Sequence, residues 1–117
     1  MSTRFLFKGV EVDDRTREYI LKRLGRLEKL VDSASRFETE VDKDKKGKFR
    51  VEVMVHTPHT LYRAEEVTES IEGSIDIVVD ELDGQIVRDK ERVRDMRKKG
   101  ARELKDRLHE EGDEEEM

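Results

Sequence analysis

No cysteine occurs among the 117 residues, so neither a disulfide framework nor thiolate chemistry is open to this chain. Apolar residues are also scarce, at 33% against 47% charged. A domain of this length buries only about two thirds of its unfolded surface, so the core must be thin. No apolar run approaches the ~20 residues that cross a bilayer. Met1 to Val12 alternates instead of forming the apolar block of a secretion signal. These absences predict a cytoplasmic protein with no membrane partner. Phosphate loops of the G-x-x-x-x-G-K-S/T and G-x-G-x-x-G kinds are missing. Ser2, Ser33, Ser35, Ser70 and Ser74 lack a G-x-S-x-G context. Carboxylates are so abundant that no pair of them marks acid–base chemistry. His56 and His59 flank the single proline, Pro58. Two histidines without a third ligand read as a polar turn and not as a metal site. The expectation is a protein that is not an enzyme and needs no cofactor and no metal.

What the chain does have is charge, and it is sorted. From Ala64 to Asp83 there are eight acidic residues and no basic one. From Arg88 to Arg102 there are eight basic residues against three acidic. The net charge of −5 therefore hides a cationic block dense enough to attract a polyanion such as RNA. Glu110 to Met117 is nearly all Asp, Glu and Gly, a composition that repels itself and predicts a disordered tail.

Periodicity gives the order of elements. Arg4 to Val12 alternates and reads as a strand. Asp13 and Asp14 offer a helix cap, and the first helix is expected to reach about Val31. Its apolar stripe is Ile20, Leu24, Leu27 and Val31, with Arg15, Lys22, Arg26 and Lys29 on an opposite stripe and Arg23 at the border. Phe37, Thr39 and Val41 alternate with carboxylates as a second strand. Asp44 to Gly47 makes a turn, with Gly47 free to take a positive φ. Phe49 to His56 alternates most clearly of all, Pro58 breaks the run, and Leu61 to about Val67 forms an edge strand. Ser70 is the expected cap of a long helix with Ile71, Ile75, Val78, Leu82 and Ile86 on one face. Its packed part should end near Arg88, and Gly100 is expected to stop it. The fold predicted is α+β, in the order β-α-β-β-β-α. One four-stranded sheet carries two helices on one face, an order similar to that of double-stranded-RNA-binding domains. Residues 1–100 are expected to form the folded domain and residues 101–117 the acidic tail.

The residues filling that order resemble the ribosome hibernation-promoting factor family, which includes ribosome-associated inhibitor A (protein Y). Arg23-Leu24-Gly25-Arg26-Leu27-Glu28-Lys29 is close to the family's R-L-x-K-L-E-K run. Thr57-Pro58 resembles its T-P turn. Arg63-Ala64-Glu65 followed by Ile71, Ile75-Asp76, Leu82-Asp83 and Gln85-Ile86 is similar to its A-x(n)-D-M-Y-x-A-I-D-x-x-x-x-K-L-E-R-Q-L signature. The match spans about residues 4 to 92. The resemblance implies a bacterial stress-response factor that binds the decoding region of the small ribosomal subunit. It would contact small-subunit rRNA, and also ribosomal proteins, and silence idle ribosomes. It further implies a short form, monomeric off the ribosome. Gly84, Glu81, Glu72 and Thr60 depart from the family pattern, which shifts the expected RNA contacts of the second helix toward Arg88, Arg92 and beyond.

The expected RNA-binding set is Lys8, Lys22, Arg23, Arg26, Lys29, Arg88, Lys90, Arg92, Arg94, Arg97 and Lys98. Two other readings compete with it. One is a protein–protein module working through the acidic face and tail. The other is a generic binder of double-stranded RNA. The ribosome-binding expectation requires the cations to converge on one surface without being neutralised by nearby carboxylates.

Overall fold

The computed structural model describes the backbone of residues 1–116 and the side chains of residues 1–104. The elements are β1 (Ser2–Lys8), α1 (Asp14–Glu28), β2 (Arg36–Lys43), β3 (Phe49–His56), β4 (Leu61–Thr68) and α2 (Ile71–Glu116). The strands form one sheet in the order β1-β2-β3-β4. β1 runs parallel to β2, and the other two pairs are antiparallel. The β-α-β-β-β-α order is the one the periodicity predicts. The chain divides into two compact units, Met1–Ile86 and Val87–Met117.

The register follows from alternation. Phe37, Thr39 and Val41 of β2 stand beside Val55, Val53 and Val51 of β3. All six are buried, because this face of the sheet meets the helices. Ala64 of β4, Ile20, Leu24 and Leu27 of α1, and Ile71, Ile75, Val78, Val79, Leu82 and Ile86 of α2 complete the core. Ile86 is the last buried residue of α2 among the described residues, close to the boundary the apolar stripe predicts. Truncating a core side chain such as Leu24 to Ala would cost roughly 2–5 kcal/mol.

Local chemistry sets the ends of the elements. The Asp13 carboxylate accepts the Thr16 N–H at 2.8 Å and caps α1. Asp44 accepts the Lys46 and Lys48 N–H groups at 2.9 Å, and Gly47 takes φ +79° to close that turn. At the start of α2 the Ser70 hydroxyl accepts the Gly73 N–H at 2.9 Å. A Cβ at Gly73 would sit 2.9 Å from both the Ser70 and Thr68 hydroxyl oxygens, so a larger residue there would push the capping hydroxyls aside. The buried Ser74 hydroxyl accepts the Thr68 N–H at 3.0 Å and donates to the Phe49 carbonyl at 2.8 Å. It thereby ties α2 to the paired ends of β3 and β4.

Three boundaries differ from the sequence expectation. β1 ends at Lys8, because Gly9 turns the chain at φ +63° before the alternation runs out. α1 ends at Glu28, and the Leu30 N–H bonds back to the Leu27 carbonyl at 2.9 Å in a tighter turn. Gly100 does not stop α2, which runs on to Glu116. A glycine costs a helix only about 1 kcal/mol, and the good helix formers around Gly100 outweigh that. The side chains of the acidic tail expected over residues 110–117 lie outside the described residues.

Candidate nucleic-acid interface

α1 and the first part of α2 face one another along a comb of polar contacts. On α1 the participants are Thr16, Tyr19, Arg23 and Arg26. On α2 they are Glu72, Asp76, Asp80 and Asp83. The Thr16 hydroxyl donates to Glu72 at 3.2 Å, and the Tyr19 hydroxyl donates to Asp76 at 2.7 Å. That hydrogen bond, with burial and the Asp76 charge, raises the Tyr19 pKa. Arg23 Nε lies 3.0 Å from Asp76 but off the N–H axis, an ion contact without a hydrogen bond. Arg23 Nη2 donates to Asp80 at 3.4 Å. Arg26 meets Asp83 through Nε at 2.9 Å and Asp80 through Nη1 at 3.9 Å. Residues three and four apart share a helix face, so both rows advance in step.

This comb changes the reading of two expected RNA-binding residues. Arg23 and Arg26 do sit on the same helix as Lys22 and Lys29, yet their guanidinium groups are occupied by carboxylates of α2. The outer stripe predicted for α1 is therefore split. Arg15, Lys22 and Lys29 are exposed and make no ion pair among the described residues, whereas Arg26 leans onto α2. Arg15 and Lys22 border a shallow recess shared with Glu18, Tyr19 and Glu72.

Lys8 stands elsewhere. Phe5 and Phe7 pair with Thr39 and Val41 on the helix-covered side, so Lys8 points to the opposite, uncovered face. There it meets Glu40 at 3.1 Å. Lys8 is thus not brought together with the α1 cations, a consequence of the two-residue strand period.

The uncovered face carries its own charge lattice. Arg50 contacts Glu40 at 3.3 Å, Asp42 at 2.9 Å, Glu52 at 3.1 Å and Glu65 at 2.8 Å. The Glu65 bond is the largest of several causes that raise the Arg50 pKa. Arg63 donates a second hydrogen bond to Glu52 through Nε at 2.9 Å, and Glu52 is only 6% exposed beneath the two arginines. Glu65 is held below the usual carboxylate range, first by the Arg50 hydrogen bond. Glu40 is also lowered, first by Lys8. Such a self-satisfied lattice leaves little free positive potential for a polyanion.

In the Val87–Met117 unit, Arg88, Lys90, Arg92, Arg94, Arg97, Lys98, Lys99 and Arg102 are all exposed. At 100° per residue they wrap about 220° of the helix, while Val93, Met96 and Leu104 occupy the rest as an exposed apolar stripe. Arg92 pairs with Asp89. Arg88, Lys90, Arg94, Arg97 and Lys98 make no ion pair among the described residues. No group of three or more His, Asp or Glu side chains suited to a metal ion occurs among the described residues. No described helix is long and apolar enough to cross a membrane.

Sequence reasoning missed the comb. The signal is present as two helical spacings, 16-19-23-26 and 72-76-80-83, but it acquires meaning only once the helices are known to lie side by side.

Comparison with known proteins adds independent findings. Residues 4–94 match the family model described as Sigma 54 modulation protein / S30EA ribosomal protein. The N-terminal domain of protein Y from Thermus thermophilus is similar at 30% identity and a TM-score of 0.68, over 75% of this chain and 98% of that one. A ribosomal subunit interface protein from Coxiella burnetii shares the fold at 20% identity and a TM-score of 0.66, over 77% of this chain and 98% of that one.

Proposed function

Because the chain belongs to the Sigma 54 modulation protein / S30EA ribosomal protein family, we propose that it is a ribosome hibernation factor that docks on small-subunit rRNA at the decoding region and blocks translation without chemistry. The observation that carries this reading is the family match over nearly the whole of the Met1–Ile86 unit. The name of the Coxiella burnetii neighbour, a ribosomal subunit interface protein, points the same way. The mode of binding rests on the cations that no carboxylate holds, since Lys8 lies on the other face of the sheet and Arg23 and Arg26 are held by aspartates. Lys22 and Lys29 on α1, with Arg88, Lys90, Arg94, Arg97 and Lys98 on α2, are available to phosphates. Phosphate contacts supply affinity. The shape of folded rRNA supplies specificity, because side chains cannot read its deep, narrow major groove.

Co-sedimentation with purified small subunits tests the proposal. Six or more phosphate contacts predict a loss on the order of a thousandfold in affinity between roughly 50 and 200 mM salt. Replacing Lys22 and Lys29 together with Glu should weaken binding without unfolding the protein, since both are exposed and unpaired. A flat salt response, or unchanged binding by the double variant, would count against phosphate-driven docking. Full competition by an arbitrary RNA duplex would favour a generic duplex binder instead.

A further inference from the structure

The comb between the helices has a bearing on selectivity, and this inference rests on the rRNA-binding reading above. Arg23 and Arg26 are the arginines of the α1 run that resembles the family's, yet three aspartates hold them. Asp80 is the pivot. It is 65% exposed and touches both guanidinium groups. Asp83 takes Arg26 through its Nε, and Asp76 takes Arg23 while also accepting from Tyr19. We infer that Asp76, Asp80 and Asp83 act as internal phosphate mimics that withhold Arg23 and Arg26 from sparse phosphates.

These ion pairs are partly open to solvent, with Arg23 25% and Asp83 22% exposed, and such pairs are weak enough to exchange. A phosphodiester, although tetrahedral, offers an arginine a pair of anionic oxygens as a carboxylate does. One isolated phosphate gains little by displacing an aspartate already in place. A folded array that presents phosphates to both arginines at once replaces the two pairs in a single event, and neighbouring Lys22 and Lys29 add to it. The aspartates thus set a threshold that favours dense, structured RNA over arbitrary duplex. They are positioning and specificity-determining residues, not contacts to the RNA.

The test compares the full-length protein with two variants of equal net charge. Asp80→Asn with Asp83→Asn frees Arg26 and leaves Arg23 on Asp76 alone. Glu11→Gln with Glu69→Gln makes the same change at exposed acids outside it. Binding to purified small subunits and to an arbitrary RNA duplex is measured as a function of salt. The comb variant should bind the duplex about tenfold more tightly, with a salt slope steeper by about one contact, that of Arg26, because Asp76 still holds Arg23. Its preference for small subunits over duplex should narrow, while the charge-matched control stays close to wild type in both respects. Equal gains in the two variants would reduce the effect to net charge and overturn the inference. Weaker binding by the comb variant would show that the aspartates pre-orient the arginines, and would overturn it as well. If wild type itself ignores small subunits, the rRNA reading falls, and that result is distinct from a failure of the comb. Thermal melts check folding, and Asp80→Asn alone, at a mostly exposed position, serves if the double variant is unstable.

Discussion

Arg50→Met is the sharpest probe of the sheet. Arg50 sits on the uncovered face, 21% exposed, and joins Glu40, Asp42, Glu52 and Glu65. Methionine keeps most of the aliphatic stem and removes the charge. The change leaves four carboxylates around one another, with Lys8 and Arg63 as the remaining cations. Partly exposed pairs contribute about 0.2–1 kcal/mol each, and the buried Glu52 keeps Arg63 and so escapes the full penalty of a lone buried charge. The sum is about 2–3 kcal/mol at neutral pH. At ~4 °C per kcal/mol for a chain of this size, the midpoint should fall by roughly 8–12 °C. The loss must also depend on pH. Glu65 titrates below its unfolded value of 4.5 because Arg50 bonds to it. Its contribution is therefore present above pH 4.5 and is lost as pH falls through the lowered folded value. The gap between wild type and variant should shrink below pH 4.5. Denaturation followed by circular dichroism at pH 7 and pH 3.5 measures both effects. A change under about 0.5 kcal/mol at pH 7, or a gap that does not narrow in acid, would refute the view that Arg50 organises this face.

Two further expectations concern the α2 packing. Ser74→Ala removes the hydroxyl that serves the Thr68 N–H and the Phe49 carbonyl, and unsatisfied buried groups should cost about 1–3 kcal/mol in urea unfolding; a neutral result would mean that the strand ends re-pair directly. Glu81 lies against Glu66, and that hydrogen bond, followed by burial, pushes its carboxyl up to about 6. The shared proton stabilises fully below the unfolded value of 4.5 and its contribution is lost as pH rises through about 6. Glu81→Gln should therefore gain stability relative to wild type between pH 5 and pH 7. Solvent screening keeps that gain under about 1 kcal/mol, and a difference that is constant over this range would exclude the shared proton.

Much of the fold was legible in the residues because one-dimensional period and one-residue signals determine it. The alternation of Phe49 to His56 appears as β3, with Val51, Val53 and Val55 buried. The Asp13 and Ser70 caps are where side-chain chemistry places them. The end of the packed stripe at Ile86 follows from Asp89 falling on the same face. Limits appear where a local signal competes with its surroundings. Alternation through Val12 overran Gly9, whose positive φ ends the strand first. The helix runs past Gly100 because one weak position cannot break a segment of strong formers. The cationic surface was harder still. Helical projection places Arg26 on the outer stripe of α1, and in the structure it lies on the flank that faces α2. What projection cannot supply is the neighbouring helix, whose Asp80 and Asp83 meet it there.

The lattice around Arg50 has a consequence for how the molecule meets its surroundings. A bare sheet usually invites a second layer. Stacking another sheet over Glu40, Asp42, Arg50, Arg63 and Glu65 would strip water from five ionised groups, each at several kcal/mol, and these groups already satisfy one another. The strands can thus stay wet on that side, needing no lid and offering poor footing to aggregating neighbours.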